Sequence, residues 1–281
     1  MQATETDTVF TPSMAVDHYE NFPVGSLLLP PRFRRPVALI YRFAREADDF
    51  ADEGDLLPEV RLARLDAFRR EIARIGAGKP PAIPWFNALA AVIHDFELPL
   101  DAFDDLLSAF SQDVTKTRYA NFAEVLDYCT RSANPVGRLL LHLYGSPTPR
   151  NLEHSDAICS SLQLVNFLQD VAIDYRKGRI YLPQDELERF GVSEQHIAAG
   201  EPGGHWQRFI AFQVERTREL LHSGAPLGRA LKGRIGLEMR MIIAGGDRIL
   251  AKIARVGGDV FRRRPMLRTY DWPLMLLRAI R

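Results

Sequence analysis

The stretch Ser161-Leu-Gln-Leu-Val-Asn-Phe-Leu-Gln-Asp-Val-Ala-Ile-Asp174 decides the fold of this chain. Apolar residues cover nearly the whole circumference of the helix that it predicts, so we expect this helix to be buried. Four polar residues interrupt the apolar surface at spacings of three, four and four, and they form one line: Gln163, Asn166, Asp170 and Asp174. Burying two carboxylates is costly unless cations or hydrogen-bond donors meet them, which disfavours the alternative of a solvated helix face.

A second predicted helix, over residues 34–53, also ends in carboxylates. Its apolar stripe passes through Val37, Tyr41 and Ala44. Continuing this stripe by helical steps reaches Asp48 and then Asp52. A rise of ~1.5 Å per residue places these two carboxylates about one turn apart, within reach of one group of cations. The alternative is a helix whose C-terminal end simply reaches solvent.

Two helices that each carry aspartates at positions i and i+4 predict a cation site between them. Oxygen ligands indicate Mg²⁺, with Mn²⁺ as the alternative, because these motifs lack the softer ligands that zinc and copper prefer. Mg²⁺ binds few protein carboxylates and completes its coordination with substrate phosphates. The sequence therefore predicts a diphosphate as the ligand of this site.

Helical periodicity continues on both sides of these two stretches. Apolar residues recur at i, i+3, i+4 and i+7, Pro and Gly clusters separate the segments, and alternating strand patterns are almost absent. We expect helices over residues 34–53, 58–75, 84–95, 99–113, 121–144, 151–175, 184–199, 205–223 and 227–256. The chain is thus predicted to be all-α, with a flexible polar N-terminus over residues 1–15 and one domain over residues 16–281.

Composition argues against several classes of partner and location. The 36 basic residues balance the 36 acidic ones, so no nucleic-acid partner is expected. Two cysteines are too few for a disulfide framework, and the sequence has neither a signal peptide nor a run of ~18 apolar residues. We therefore expect a cytoplasmic protein.

The C-terminal tail combines basic, aromatic and aliphatic residues. These are Arg262, Arg263, Arg264, Trp272, Pro273, Leu274, Leu276 and Leu277. Such a cluster predicts peripheral contact with the inner face of the membrane, and a C-terminal helix docked on the protein is the alternative.

The aspartate motifs resemble those of a known family, the squalene/phytoene synthases. Asp48-Asp-Phe-Ala-Asp-Glu53 is similar to the family's first aspartate-rich motif, and Asn166-Phe-Leu-Gln-Asp-Val-Ala-Ile-Asp174 is similar to its second. Arg179-Ile-Tyr-Leu-Pro183 follows where the family expects it. The resemblance covers nearly the whole folded part. It implies an isoprenoid synthase fold, with helices around a central cavity, and an enzyme that acts on a prenyl diphosphate.

The resemblance also implies roles for individual residues. The metal ligands would be Asp48, Asp52, Asn166, Asp170 and Asp174. Arg45 and Gln163 would contact the diphosphate. Tyr128 falls on the family's active-site tyrosine, where a phenol could shuttle protons to or from the departing diphosphate. A buried tyrosine with one hydrogen bond is the alternative for Tyr128.

Further residues complete the predicted substrate site. Lys177 or Arg179 would help to stabilise the charge on the leaving diphosphate. The aromatic rings of Phe22, Tyr41 and Phe43 could shield a carbocation by cation–π attraction, or they could pack a core. Asn21 and Tyr181 are the remaining predicted substrate-binding residues.

Within the family, the chain closely resembles the bacterial hydroxysqualene synthases of hopanoid biosynthesis. That likeness rests on residues 18–23, 132–137, 169–172 and 260–273. It implies a carbon–oxygen lyase that ionises presqualene diphosphate and captures water to give hydroxysqualene. NADPH is not expected, because the sequence lacks a Gly-rich strand-turn-helix motif. Neighbouring enzymes of the pathway are potential partners.

Three departures from the broader family bear on the alternatives. Glu20-Asn-Phe22 stands where condensing members have a serine pair, Gln169 where they have an arginine, and Ile173 where they have an acid. Each change removes a polar contact to diphosphates. This weakens the alternative of a condensing prenyltransferase that makes presqualene diphosphate, squalene or phytoene. A non-catalytic helical scaffold is the other alternative, and its expected mark, the loss of the aspartates, is missing.

Asn134 is the candidate for holding the attacking water. It lies in Ala133-Asn-Pro-Val-Gly137, a tight break in an apolar helix, where its amide could place one water next to the carbocation. The alternative is that Asn134 satisfies backbone groups freed by a helix kink.

Overall fold

The computed structural model describes residues 28–52, 54 and 56–280, and helices dominate this part of the chain. The helices are α1 (Pro31–Asp52), α2 (Pro58–Gly76), α3 (Phe86–Asp95), α4 (Leu100–Asp113), α5 (Phe122–Ser132), α6 (Asn134–Leu143), α7 (Pro149–Arg176), α8 (Gln184–Phe190), α9 (Glu194–Ala199), α10 (His205–Ser223), α11 (Leu227–Ala230), α12 (Gly233–Arg255) and α13 (Asp271–Ile280). Two short strands, β1 (Arg118–Tyr119) and β2 (Ile180–Pro183), pair in parallel. The predicted all-α class is confirmed. The proposed flexible segment 1–15 and the domain start at residue 16 lie outside the described residues.

Helix α7 contains the stretch that decides the fold. It begins where the Thr148 hydroxyl accepts a hydrogen bond of 3.2 Å from the Asn151 backbone N–H, and Pro149 occupies its first turn. It ends before Gly178, which adopts a left-handed φ of 79° that favours glycine. Between these ends α7 packs against α5, α6, α10 and α12, so its apolar side chains are buried on most sides, as predicted.

Two large apolar cores hold α1 and α7 in place. The first core is formed by helices α1, α2, α3, α4 and α6 around Phe43. Phe43 is fully buried and packs edge-on against Phe103, with ring centroids 5.0 Å apart. The second core is formed by the helices from α7 through α12 around Trp206, whose indole N–H donates to the Gly258 carbonyl at 2.9 Å. Phe43 is therefore a core residue, and its interpretation as a shield for a carbocation is wrong.

Three of the predicted helices are each divided in two: 121–144, 184–199 and 227–256. The first divides at Ala133 because Pro135 lacks a backbone N–H and cannot continue the ladder of α5. The second divides at Gly191, whose left-handed φ of 70° ends α8. The third divides at Leu231 and Lys232, which are extended between α11 and α12.

None of the helices among residues 28–52, 54 and 56–280 combines the length and the apolar character that crossing a membrane requires.

Candidate active site

The aspartate-bearing ends of α1 and α7 meet at Asp52. Lys177, the residue that follows α7, places its Nζ atom 3.2 Å from Asp52 Oδ2. Arg179, just before β2, donates to the other carboxylate oxygen through Nη1. Asp52 and Lys177 are 125 residues apart in the chain, so the two motifs that the sequence singles out come together only in the folded protein.

Carboxylates from both helices crowd this site. Burial, and next the charge of Asp52, raise the pKa of Asp48 to about 7. Burial, and next the charge of Asp170, raise the pKa of Asp174 to about 8, and Asp52 on the other helix adds to this rise. Repulsion of this kind acts between nearby charges, so α1 and α7 share one region of negative potential. A cation bound there would relieve the repulsion.

Basic side chains neutralise part of this negative charge. Although burial raises it, the positive charges of Arg179 and Lys177 lower the pKa of Asp52 below its ordinary value. On α1, Arg45 Nη2 lies 2.8 Å from Asp49 Oδ1. Three predicted diphosphate-binding cations therefore lie beside the aspartates of the first motif.

The polar line of α7 keeps its predicted place on an otherwise buried helix. Gln163, Asn166 and Asp174 are half-buried and Asp170 is buried, whereas the apolar residues between them, such as Leu164, are buried in the cores. On α1, Tyr41 is half-buried, as Arg45 and Asp48 are. The predicted substrate-binding residues Asn21 and Phe22 lie outside the described residues.

Arg264 reaches this polar line from the loop between α12 and α13. Its guanidinium binds both oxygens of Asp170, with Nη2 3.0 Å from Oδ2, and Nη2 also lies 3.5 Å from Asn166 Oδ1. The next residue, Pro265, accepts a hydrogen bond from the Gln169 side chain. The sequence places Arg264 in a basic tail cluster, and the structure separates it from Arg262, which is exposed.

Arg264 is a site residue that sequence reasoning missed. Arg264 and Asp170 are 94 residues apart, and three consecutive arginines give no sign of which one turns inward.

The donor atoms of the site fit Mg²⁺ by their chemistry. Hard carboxylate and amide oxygens are its preferred protein ligands, and neighbouring carboxylates add to the burial that raises the pKa values of Asp48 and Asp174. In the part of the chain that the structure describes, no three His, Cys, Asp or Glu side chains are arranged to hold a metal ion. Arginine and lysine partners instead hold Asp52 and Asp170. The metal and its ligand set stay predictions.

A buried hydrogen-bond network lies behind the site. Tyr128 donates to Asp113 Oδ2 at 2.5 Å, Tyr181 donates to Oδ1 at 2.9 Å, and Arg179 Nη2 donates to the Asp113 backbone carbonyl at 2.9 Å. Burial raises the pKa of Asp113 to about 6, against the effect of the tyrosine hydrogen bonds. Burial also raises the pKa of Tyr128 well above its ordinary value. The Tyr128 phenol therefore stays protonated at neutral pH.

Asp113 is the second residue that sequence reasoning missed, although a signal for it exists. It is the last residue of α4 and continues the buried stripe Ala102, Leu106 and Ala109 by one further helical turn. Asp48 on α1 is singled out because it is a carboxylate that continues an apolar helical stripe, and the same criterion identifies Asp113.

Asn134 lies at the break between α5 and α6, where it is buried. Its Oδ1 atom accepts a hydrogen bond of 2.8 Å from the Ser160 hydroxyl on α7. The amide thus links α6 to α7, and its role in holding a water stays a prediction.

An all-α assembly in which two aspartate-bearing helices bring their carboxylates together defines an isoprenoid synthase fold. The chain belongs to the squalene/phytoene synthase family, whose model matches residues 15–271. Members of this family are enzymes that act on prenyl diphosphates. The predicted family and fold are both confirmed.

Three known proteins illustrate the relationship. The chain is 39% identical to a hydroxysqualene synthase of Rhodopseudomonas palustris over 82% of this chain and 78% of that protein. It is 36% identical to a squalene synthase of Alicyclobacillus acidocaldarius of known structure, with a TM-score of 0.79 over 87% of this chain and 92% of the other. A dehydrosqualene synthase, crystallised with a ligand, shares the fold at 22% identity, with a TM-score of 0.85 over 96% of this chain and 93% of the other.

Proposed function

We propose that this chain is a hydroxysqualene synthase, a carbon–oxygen lyase that converts presqualene diphosphate and water to hydroxysqualene and diphosphate. The observation that carries the proposal is the meeting of acidic α1 and α7 at Asp52, with Lys177 and Arg179 bound to it. Sites that combine carboxylates with flanking cations suit a diphosphate bound through divalent metal. The 39% identical relative of that name favours this reaction over others in the family.

The proposed reaction begins with heterolysis of a carbon–oxygen bond. The electron pair leaves with the diphosphate, and bound Mg²⁺ would supply positive charge that stabilises this leaving group. Asp48, Asp52, Asn166, Asp170 and Asp174 would hold the metal.

Basic side chains of this chain would share that task. Arg45 and Arg179 are partly buried, so their charges act in a medium of lower dielectric than water. Lys177 is more exposed, and its flexible stem lets the ammonium group move from Asp52 to a bound diphosphate.

Water capture then completes the proposed reaction. The oxygen of one water forms a bond to the carbocation, and the proton that this water loses goes to the released diphosphate. Tyr128 is an unsuitable base for this proton at neutral pH, since burial holds its phenol in the protonated form. Asn134 is the proposed group that orients the water.

The second candidate is a head-to-head condensing prenyltransferase. The relative that favours it is the 36% identical squalene synthase of known structure. Against it, Gln169, which stands where condensing members have an arginine, is buried and donates to the Pro265 carbonyl. A side chain held in this way offers no positive charge to a second diphosphate.

The test is an incubation of the purified protein with Mg²⁺ and presqualene diphosphate in ¹⁸O-labelled water, without NADPH. Hydroxysqualene that carries the label, identified by mass spectrometry, is the expected product. The matched variants are Asp170→Asn, expected to be inactive, and the exposed Asp95→Asn, expected to be fully active. Squalene or presqualene diphosphate formed from farnesyl diphosphate would favour the condensing enzyme instead. Failure to convert either substrate would reject both candidates.

A further inference from the structure

The C-terminal helix α13 presents an apolar surface away from the protein. Its buried residues are Asp271, Met275 and Ala279, which form a single stripe against α12. Its exposed apolar residues, which we name the α13 face, are Trp272, Leu274, Leu276, Leu277 and Ile280. At ~100° per residue these positions span roughly 200° of the helix circumference, and no charged residue interrupts them.

This concentration of exposed apolar side chains is unusual within the protein. Elsewhere in the described residues, large exposed apolar residues are scattered, as Leu57 and Val256 are. Met266 and Tyr270, in the loop before α13, are exposed as well. Single exposed apolar residues are ordinary on a protein surface, whereas a contiguous patch indicates a surface that binds something.

The α13 face is held in place at both ends of the helix. At the first turn, the fully buried Asp271 carboxylate binds Arg248 at 2.7 Å, binds Lys252, and accepts a backbone hydrogen bond from Arg268 at 2.7 Å. At the last turn, Arg240 Nε donates to the Ala279 carbonyl at 2.5 Å. These contacts fix α13, so the exposure of its leucines is a property of the folded state.

Charge around α13 indicates what it binds. Residues 255–280 contain six arginines and two aspartates, although the whole chain is neutral. Asp271 is buried, and Asp259 lies 3.5 Å from Arg262. Five of the six arginines are exposed: Arg255, Arg262, Arg263, Arg268 and Arg278. Arg278 is paired with Asp247 Oδ2 at 2.8 Å, and the other exposed arginines leave this C-terminal segment net basic.

We propose that α13 docks in the headgroup region of an anionic phospholipid bilayer. An amphipathic helix with an apolar face, neighbouring arginines and interfacial aromatic residues such as Tyr270 and Trp272 lies in the plane of such a membrane. Anionic lipids attract basic segments near the surface. A second copy of this chain fits less well, because it would bring the same arginines against one another.

The docking surface is close to the candidate active site. Arg264 binds Asp170, and α13 begins seven residues later in the chain, so at most ~25 Å separates the two backbone positions. Docking through α13 would hold the site near the bilayer, where long isoprenoid chains dissolve. The docking itself does not depend on the proposed reaction and is measured without substrate.

The test uses the full chain and sedimentation with vesicles of phosphatidylglycerol and phosphatidylcholine, and with vesicles of phosphatidylcholine alone. We expect binding to the anionic vesicles that weakens in ~0.5 M NaCl, where charges are screened. The double variant Leu274→Glu/Leu277→Glu should bind about tenfold more weakly or worse, since it places two anions on the α13 face. Leu57→Glu is the matched control at an exposed leucine on another surface, and it should bind as the wild type does.

A second measurement identifies the residue that enters the lipid. Trp272 is exposed, Trp206 is buried and Trp85 packs against Phe86 in the first core, so brominated acyl chains should quench Trp272 alone. Trp272→Phe should remove this quenching. The proposal is overturned if the wild type does not bind anionic vesicles, if Leu57→Glu weakens binding as much as the double variant, or if Trp272→Phe leaves the quenching unchanged. Light scattering that shows an α13-dependent dimer, with no vesicle binding, would identify a second copy as the occupant instead.

Discussion

Tyr128 donates a hydrogen bond of 2.5 Å to Asp113, and both side chains are almost excluded from solvent. The Asp113 carboxylate also accepts a hydrogen bond from Tyr181 of β2, and the Asp113 backbone carbonyl accepts one from Arg179. Asp113 therefore connects α4 and α5 with Arg179, the side chain that binds Asp52. This arrangement identifies Asp113 as a positioning residue, which acts on the site through Tyr128 and Arg179.

Replacement of Asp113 by asparagine should lower the activity of the site without abolishing substrate binding. The amide keeps the volume but has one acceptor oxygen for two tyrosine hydroxyls, so one buried donor loses its partner. We expect a loss of about 1–3 kcal/mol in the free energy of unfolding. We also expect kcat to fall about tenfold, with a smaller change in KM, as Arg179 moves. Urea denaturation and steady-state kinetics measure both, and the exposed Asp104→Asn on the same helix is the control. Unchanged kcat would exclude a positioning role.

Removal of Arg264 should strengthen metal binding in the absence of substrate. Its guanidinium occupies both oxygens of Asp170, a predicted metal ligand, and so competes with a cation there. For Arg264→Gln we expect Mn²⁺ to bind roughly fivefold or more tightly, measured by electron paramagnetic resonance of the free ion. Arg262→Gln, at an exposed neighbour, should leave the affinity unchanged. Equal or weaker Mn²⁺ binding by Arg264→Gln would contradict this competition.

The stability of the metal-free protein should fall as pH rises. Asp48 and Asp174 have pKa values of about 7 and about 8 in the folded protein, above the ordinary value of 3.8. The folded state therefore holds more protons than the unfolded state between these limits, and raising the pH removes them at the expense of folding. We expect a loss on the order of 1 kcal/mol between pH 5 and 8, reduced by partial solvent exposure.

Urea denaturation with a chelator present, at a series of pH values, measures this loss. The double variant Asp48→Asn/Asp174→Asn should abolish most of the pH dependence, whereas Asp95→Asn should keep it. A flat profile for the wild type would show that these two carboxylates are ionised throughout.

Gly137 should not tolerate a methyl group. A Cβ atom there would lie 2.3 Å from the Ser155 hydroxyl and 2.6 Å from the Cys159 sulfur, because α6 and α7 approach closely at this point. For Gly137→Ala we expect a loss of about 1–3 kcal/mol in the free energy of unfolding. Gly203 is the matched control, since a Cβ atom added there meets nothing within 4 Å. Equal stability of the two variants in urea would show that α6 can shift at little cost.

Local periodicity explains what the sequence could predict. The polar line of α7 and the acidic end of α1 follow from helical spacing alone, and the meeting of the two helices follows from the cost of burying carboxylates without partners. The predicted continuous helix 121–144 fails for a local reason, since Pro135 removes a backbone donor in the middle of an apolar run. Periodicity describes the side chains and not this missing hydrogen bond.

Contacts between distant segments explain what the sequence could not predict. The pairing of Arg264 with Asp170 depends on how the loop after α12 folds back onto α7, and no spacing in the chain encodes it. The C-terminal tail is compatible with both of its predicted roles, a docked helix and a surface that contacts a membrane, and the membrane contact stays a proposal. The tail is a docked helix on the side of Asp271 and an exposed apolar surface on the side of Leu277.

The separation of Asp52 from Lys177 by 125 residues has a consequence for how the protein acquires activity. The first core and the second core can each form from segments that are near one another in the chain. Asp52 meets Lys177 only after the two cores have packed against each other. Contacts at such long sequence separation form late, because closing a long loop lowers the chain entropy before the contact contributes its stabilising free energy. An intermediate with only one core assembled would be helical and compact yet lack the site. Recovery of enzymatic turnover during refolding should therefore lag behind recovery of helical circular dichroism.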